Sequence, residues 1–379
     1  MENIPNTKRR KSGMNHIKKI LMPLLLTVVL GAVACSSADP TSTPAPAPVN
    51  TAVPTDTPKP PETAKILAFS NSSPHVSVID AESNMVLETK DMENFTKWTW
   101  NDDNNYFDGT HVWLGLKYPE ADDAVVIALD VNTLEEKSRH SVGKEKKNIY
   151  IGKSSKAGVI HVGKQGSAEI VTIDTKAHQV LHTWKDLPRG QSEDGVVCDA
   201  DVVEGSDGVE RFYYPTLDGN SVVMVDAHTG AVLKETNSPE GARPVMHTNN
   251  PKDGRMWVQE IGSHTNAIYD PLTLELVKRI PAAQKPVVGT FSPDGSLAYI
   301  GHAGDPIVQV IDTETLEEVT RVTVGNSPNK VAVHPNGKYI YANASKEASI
   351  VIVDTSNWSV AGRIELESNP GGMFLWANE

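Results

Sequence analysis

The chain has 379 residues, 39% apolar and 22% charged, which is the composition of a folded protein rather than a disordered one. Lys and Arg number 35 against 48 Asp and Glu, and since the first 34 residues hold six of the bases and one acid, the remainder carries about −18 of a total of −13. A surface of that sign repels phosphate at long range and makes nucleic acid and anionic lipid headgroups poor partners, while two cysteines, Cys35 and Cys198, exclude a disulfide framework and a cysteine-rich metal site.

Residues 1–34 read as an export signal. A basic stretch through Lys19 precedes the apolar run Ile20–Leu30 and the small residues Gly31–Ala34. Together they are 15 residues long, short of the roughly 20 that a helix needs to span a bilayer. Ala32-Val33-Ala34-Cys35 resembles a bacterial lipobox, which implies cleavage before Cys35 and acylation of its thiol. Ordinary signal cleavage beside an incidental cysteine is the alternative, and Met14 offers a second start. Residues 35–63 are rich in Pro, Thr, Ser and Ala, cannot bury enough surface to offset their ordering entropy, and read as an extended linker. The expected location is outside the cytoplasm, tethered to the cell membrane or the outer membrane.

From residue 64 to 379 one pattern recurs. An alternating β-branched run closes on Asp at positions 80, 130, 174, 226, 270, 312 and 354, spaced by 50, 44, 52, 44, 42 and 42 residues. That period, with four strands per unit, predicts an all-β, seven-bladed propeller forming a single domain. Each Asp is expected to accept backbone N–H groups of the turn that follows it, so all seven are assigned to folding. The stretch Lys65–Ser70 matches a second strand and Gly371–Trp376 an innermost one, so the two ends are expected to pair and close the ring.

Gly325–Tyr341 and Val308–Thr315 look like the YVTN-type propeller repeats of bacteria and archaea. These repeats also resemble the haem-binding propeller of cytochrome d1-type nitrite reductases and of exported haem d1 maturation proteins, most closely at Ser238–His247, Met256–Val258 and Ile261–His264. The resemblance implies a propeller fold and haem as a possible cofactor. Where the reductases carry a histidine after Pro239 this chain has Glu240, and it lacks a Cys-x-x-Cys-His site, so nitrite reduction is not expected.

Propeller ligands sit at the mouth of the central channel, on the face formed by segments entering the innermost strands and by loops between second and third strands. That rule selects His75, His264 and His302 in or beside such loops, and His247 on an inner strand. His247, His264 and His302 form the candidate set for an axial haem ligand or a metal, because imidazole suits iron, copper and zinc. Unrelated polar loop residues are the alternative. Trp98, Trp100 and Trp376 fall on or near inner strands of adjoining blades, where they either wall a flat ligand or fill space between blades. No phosphate loop, nucleophile elbow or His-Glu-x-x-His occurs. The first functional reading is a non-catalytic, monomeric lipoprotein that binds a protein, an envelope polymer or a small ligand at the mouth. A haem-handling protein is the second reading, and a lactonase-like hydrolase the third.

Overall fold

A computed structural model describes residues 64–92, 97–99, 107–117, 123–190 and 199–377. Among them every regular element is a β-strand, and the strands form seven antiparallel sheets of four. In blade one, Pro370–Ala377 is innermost, followed outward by Ala64–Ser70, His75–Asp80 and Met85–Asp91. Blades two to seven begin on the inner strands Lys97–Trp98, Ile149–Lys153, Asp201–Glu204, Pro244–Asn249, Pro286–Phe291 and Val331–Val333. The chain is therefore a seven-bladed β-propeller, as the Asp spacing predicts.

Closure follows the expected pairing. Lys65 lies opposite Trp376, Leu67 opposite Phe374 and Phe69 opposite Gly372, so the first and last described strands share one sheet. No blade is then left with a bare neighbour, and both faces of each sheet are buried. Seven apolar clusters occupy the seven seams. Leu67, Leu114, Ile127 and Phe374 fill the seam between blades one and two, for example, and Trp257, Ile268, Ala298 and Ile300 fill that between five and six. The outermost strands face water, as the exposed run Gln179–Trp184 shows.

The repeated Asp works through its side chain and its carbonyl. Asp270 Oδ1 accepts Leu272 N at 2.9 Å and Thr273 N at 2.8 Å, and its carbonyl accepts Leu274 N at 2.8 Å. The fourth residue after each Asp has positive φ in all seven blades: Asn84, Leu134, His178, Gly230, Leu274, Leu316 and Trp358. A left-handed backbone costs an L-residue roughly 1–2 kcal/mol, and burying a leucine side chain returns roughly 1.5–3 kcal/mol. Leu134 and Leu274, both buried in seams, can therefore hold a position that glycine holds in blade four.

Removing residues 370–379 exposes the edge of Ala64–Ser70 along its whole length. The truncated chain is expected to lose its cooperative thermal transition and to associate. Circular dichroism and size-exclusion chromatography check this; a monomer with the parent's melting temperature would contradict the closure argument.

Candidate functional site

The channel mouth is built from segments that enter inner strands and from turns that leave second strands. They enclose a cavity of about 240 Å³ shared by blades one, two, three and seven, whose described lining is uncharged. Asn71, Asn148, Asn329, Ser345 and Thr99 supply its polar groups, and Phe69 with Trp98 its apolar wall. Closure of the ring creates this arrangement. Asn71 Nδ2 donates to Ser345 O at 3.3 Å, Asn343 Nδ2 donates to Asn329 Oδ1 at 2.8 Å and to Pro370 O at 3.1 Å, and Asn343 Oδ1 accepts Lys330 N at 2.8 Å. Gly371 is required beside them, because a Cβ there would stand 2.6 Å from that of Asn71. On the same face, directly before Asn148 in the chain, Lys144, Lys146 and Lys147 join Arg189 around a second cavity of about 380 Å³. Glu145 lines it too, but its carboxylate accepts the backbone N–H groups of Lys147, Gly166 and Ser167.

The histidines do not meet. His247 is buried on the inner strand of blade five, with its ring 3.5 Å from Asp199 and edge-on to Tyr213 of blade four. His264 lies in a turn at positive φ, and its Nδ1 accepts Lys285 N at 3.1 Å, tying blade five to blade six. His302 ends the second strand of blade six and is fully buried. It lies on the same strand face as Ala298 and Ile300, which pack on blade five. His75 begins a third strand, 3.8 Å from Asp91. Among the described residues no three His, Cys, Asp or Glu side chains converge to hold a metal. Strand alternation separates the set: His247 faces blade four while His302 faces blade five, so being in neighbouring blades does not give them a common ligand.

Trp98 is buried with its ring 4.8 Å from Phe69, and its indole donates to His75 O at 3.1 Å; Trp376 stacks on Phe374 at 5.8 Å. Trp100, Cys35 and Cys198 lie outside the described residues.

One polar cluster escapes sequence reading. Glu210, buried between blades three and four, accepts hydrogen bonds from Ser154 Oγ at 2.8 Å and from Ser155 N. Its Oε2 lies 3.2 Å from His161 Nε2, and His161 Nδ1 is 2.9 Å from Thr172 Oγ1. The serine donates to the carboxylate rather than to an imidazole, so the order serine, histidine, acid needed for a nucleophile is not formed. Burial alone would raise the Glu210 carboxyl, but the bonds from His161, Ser154 and Ser155 outweigh it and hold the group at about 2. Burial acts on His302 in the opposite sense, depressing the imidazole to about 4.

No family model matches the sequence, and no curated protein resembles it in sequence. Solved structures share its fold. The periplasmic gluconolactonase PpgL of Pseudomonas aeruginosa superposes with a TM-score of 0.69 at 14% identity, covering 84% of this chain and 100% of that one. A putative 6-phosphogluconolactonase of Bacteroides uniformis gives 0.65 at 14% identity over 83% and 99% of the two chains. The dihydro-heme d1 dehydrogenase NirN gives 0.54 at 14% identity over 82% and 74%. These likenesses define the class, a seven-bladed propeller with lactonase-like and d1-haem-like structural neighbours.

The two shifted groups separate two pH windows. An unfolded imidazole titrates near 6.5, so the His302 contribution is intact above that pH; between 6.5 and about 4 the unfolded chain binds a proton that the seam refuses, and stability falls. The loss at pH 4 is roughly 3 kcal/mol. The Glu210 contribution is present above 4.5 and is lost as pH falls from there towards about 2. Urea unfolding across pH 7 to 3 is expected to show a shallower acid slope for His302→Leu above pH 4.5, and for Glu210→Gln only below it. Identical slopes for parent and variants would refute the assignment.

Proposed function

We propose that the chain is an exported lipoprotein, anchored through Cys35, whose YVTN-type propeller binds a hydroxyl-rich, sugar-like ligand at the channel mouth. The uncharged mouth cavity carries this reading: asparagine and serine groups from three blades face one space beside an aromatic wall, which is the chemistry that recognises a neutral polyol ring. The Lys144–Lys147 segment and Arg189 next to Asn148 favour a ligand that also bears an anionic substituent, such as a uronic acid unit of an envelope polymer. The basic and apolar N-terminal run supports export, and the Pro/Thr-rich linker supports a tether that keeps the propeller clear of the membrane. The fold shared with a protein named as a gluconolactonase keeps a sugar lactone within the same ligand class. Likeness to NirN favours haem as the second reading.

Tryptophan fluorescence of the full chain, titrated with D-glucose and with D-glucuronate, tests the first reading. Saturable quenching is expected for both, tighter for glucuronate, and Asn148→Leu is expected to weaken it at least about tenfold, equivalent to about 1.4 kcal/mol. Haemin is the contrasting probe. A Soret shift lost in His264→Ala, with both sugars inert, would transfer the function to haem, and accelerated hydrolysis of gluconolactone would make the chain a hydrolase.

A further inference from the structure

Repeat comparison isolates one seam. The residue four before each repeated Asp is Val76, Val126, Ile170, Val222, Val308 or Ile350 in six blades, and Asn266 in blade five. The residue three before it is Ile127, Val171, Val223, Ala267 or Val351 in five blades, Ser77 in blade one, and Gln309 in blade six. The first of these positions faces the following blade and the second faces the preceding one, as Val126 and Ile127 show in blade two. Both amides therefore point into the same place, the seam between blades five and six. Gln259, opposite Asn266 on the neighbouring strand, and His302 enter it as well.

Asn266, Gln259, Gln309 and His302 are each at most 1% exposed, and so is Trp257, which shares a strand face with Gln259. Among the described residues, Asn266 Oδ1 and Nδ2, Gln259 Oε1, Gln309 Oε1, His302 Nε2 and Trp257 Nε1 have no hydrogen-bond partner. The seam is shaped around these groups. Gly289 stands where a Cβ would come within 2.8 Å of Gln259 Nε2, so glycine gives the amide room to cross from blade five to blade six. His302 Nδ1 lies 3.4 Å from Ile307 O, and a carbonyl only accepts, so the proton sits on Nδ1 and the Nε2 lone pair faces the seam. The open valences are thus four acceptors (Asn266 Oδ1, Gln259 Oε1, Gln309 Oε1, His302 Nε2) and two donors (Asn266 Nδ2, Trp257 Nε1). Gln309 also lines an outer groove of about 280 Å³ with Ile280, Pro281, Ile311, Glu317 and Glu318, and its Nε2 donates to Glu318 Oε2 at 2.6 Å.

We propose that the seam between blades five and six is a built binding slot, separate from the mouth, for small neutral molecules that donate more hydrogen bonds than they accept. Ordered water has this chemistry, and so does a primary amide, whose NH2 group offers two protons. A charged ligand is disfavoured because the five slot residues are uncharged and packed among Ile268, Ala298 and Ile300.

The indole N–H resonance of Trp257 in the full chain reads the slot directly. Acetamide titration is expected to shift that resonance saturably in the parent and not in the Asn266→Leu, His302→Leu double variant, which identifies an exchangeable solute slot. If acetamide has no effect but oxygen-17 relaxation dispersion shows long-lived waters that the double variant lacks, the slot is a water site. Either result upholds the proposal. It is overturned if neither signal differs between parent and variant. Should the double variant fail to fold, the parent's own titration and dispersion still decide: a flat titration with no long-lived water overturns the slot.

Discussion

The pairing of Ala64–Ser70 with Pro370–Ala377 is the constraint on which the rest of the molecule depends. A four-stranded sheet buried on both faces has to have a neighbour on each side, and seven such sheets satisfy one another only in a closed circle. The first and last described strands complete blade one, and contacts across the joint follow from that. Tyr341 Oη of blade seven donates to Ala81 O at 3.0 Å, and Asn343 reaches Pro370 O. The mouth cavity depends on the same joint, because Asn71, Ser345 and Gly371 come from segments that meet only when the circle is shut.

The fold was legible because its signals are local and repeated. Asp, turn and β-branched run recur at a readable period, and an Asp side chain that accepts the next turn's N–H groups needs no knowledge of distant residues. The left-handed residue four places later was not legible: Leu134 and Leu274 are not turn formers by propensity, and their burial in a seam offsets the strain. Histidine positions were readable to the strand or loop but not to the partner. Alternation puts His302 on the face of Ile300, yet which blade that face meets depends on the ring, so His247, His264 and His302 looked closer together than they are. Ser154, His161 and Glu210 lie on two blades, up to 56 residues apart, and leave no spacing to read.

Charge and burial divide the labour between surface and seams. The chain is acidic as a whole, yet the mouth-side stretch Lys144–Lys147 reverses the sign locally next to an uncharged cavity. Long-range repulsion of anions and short-range attraction at one rim position are compatible, because screening in physiological salt confines each field to about 8 Å. A ligand is thus selected at the rim by contact rather than by the field of the whole protein.

Two of the seams that carry buried polar side chains treat them differently. Between blades three and four, Thr172 replaces the apolar residue found two before Asp in the other repeats, and its hydroxyl lies against His161, which lies against Glu210, which in turn holds Ser154. Each polar group there is answered by another, so the cluster joins the blades and nothing further is needed to explain it. Between blades five and six the substitutions are as numerous and the burial as deep, but the groups do not answer one another. An unmet buried polar atom costs roughly 1–3 kcal/mol, and a seam carrying six of them would be less stable than the valine and isoleucine seams beside it. A repeat protein that keeps apolar residues at these positions in its other blades, Ser77 apart, had a simpler residue available for this one. Retention of amides and an imidazole there is the physical reason to treat the seam as a site rather than as packing.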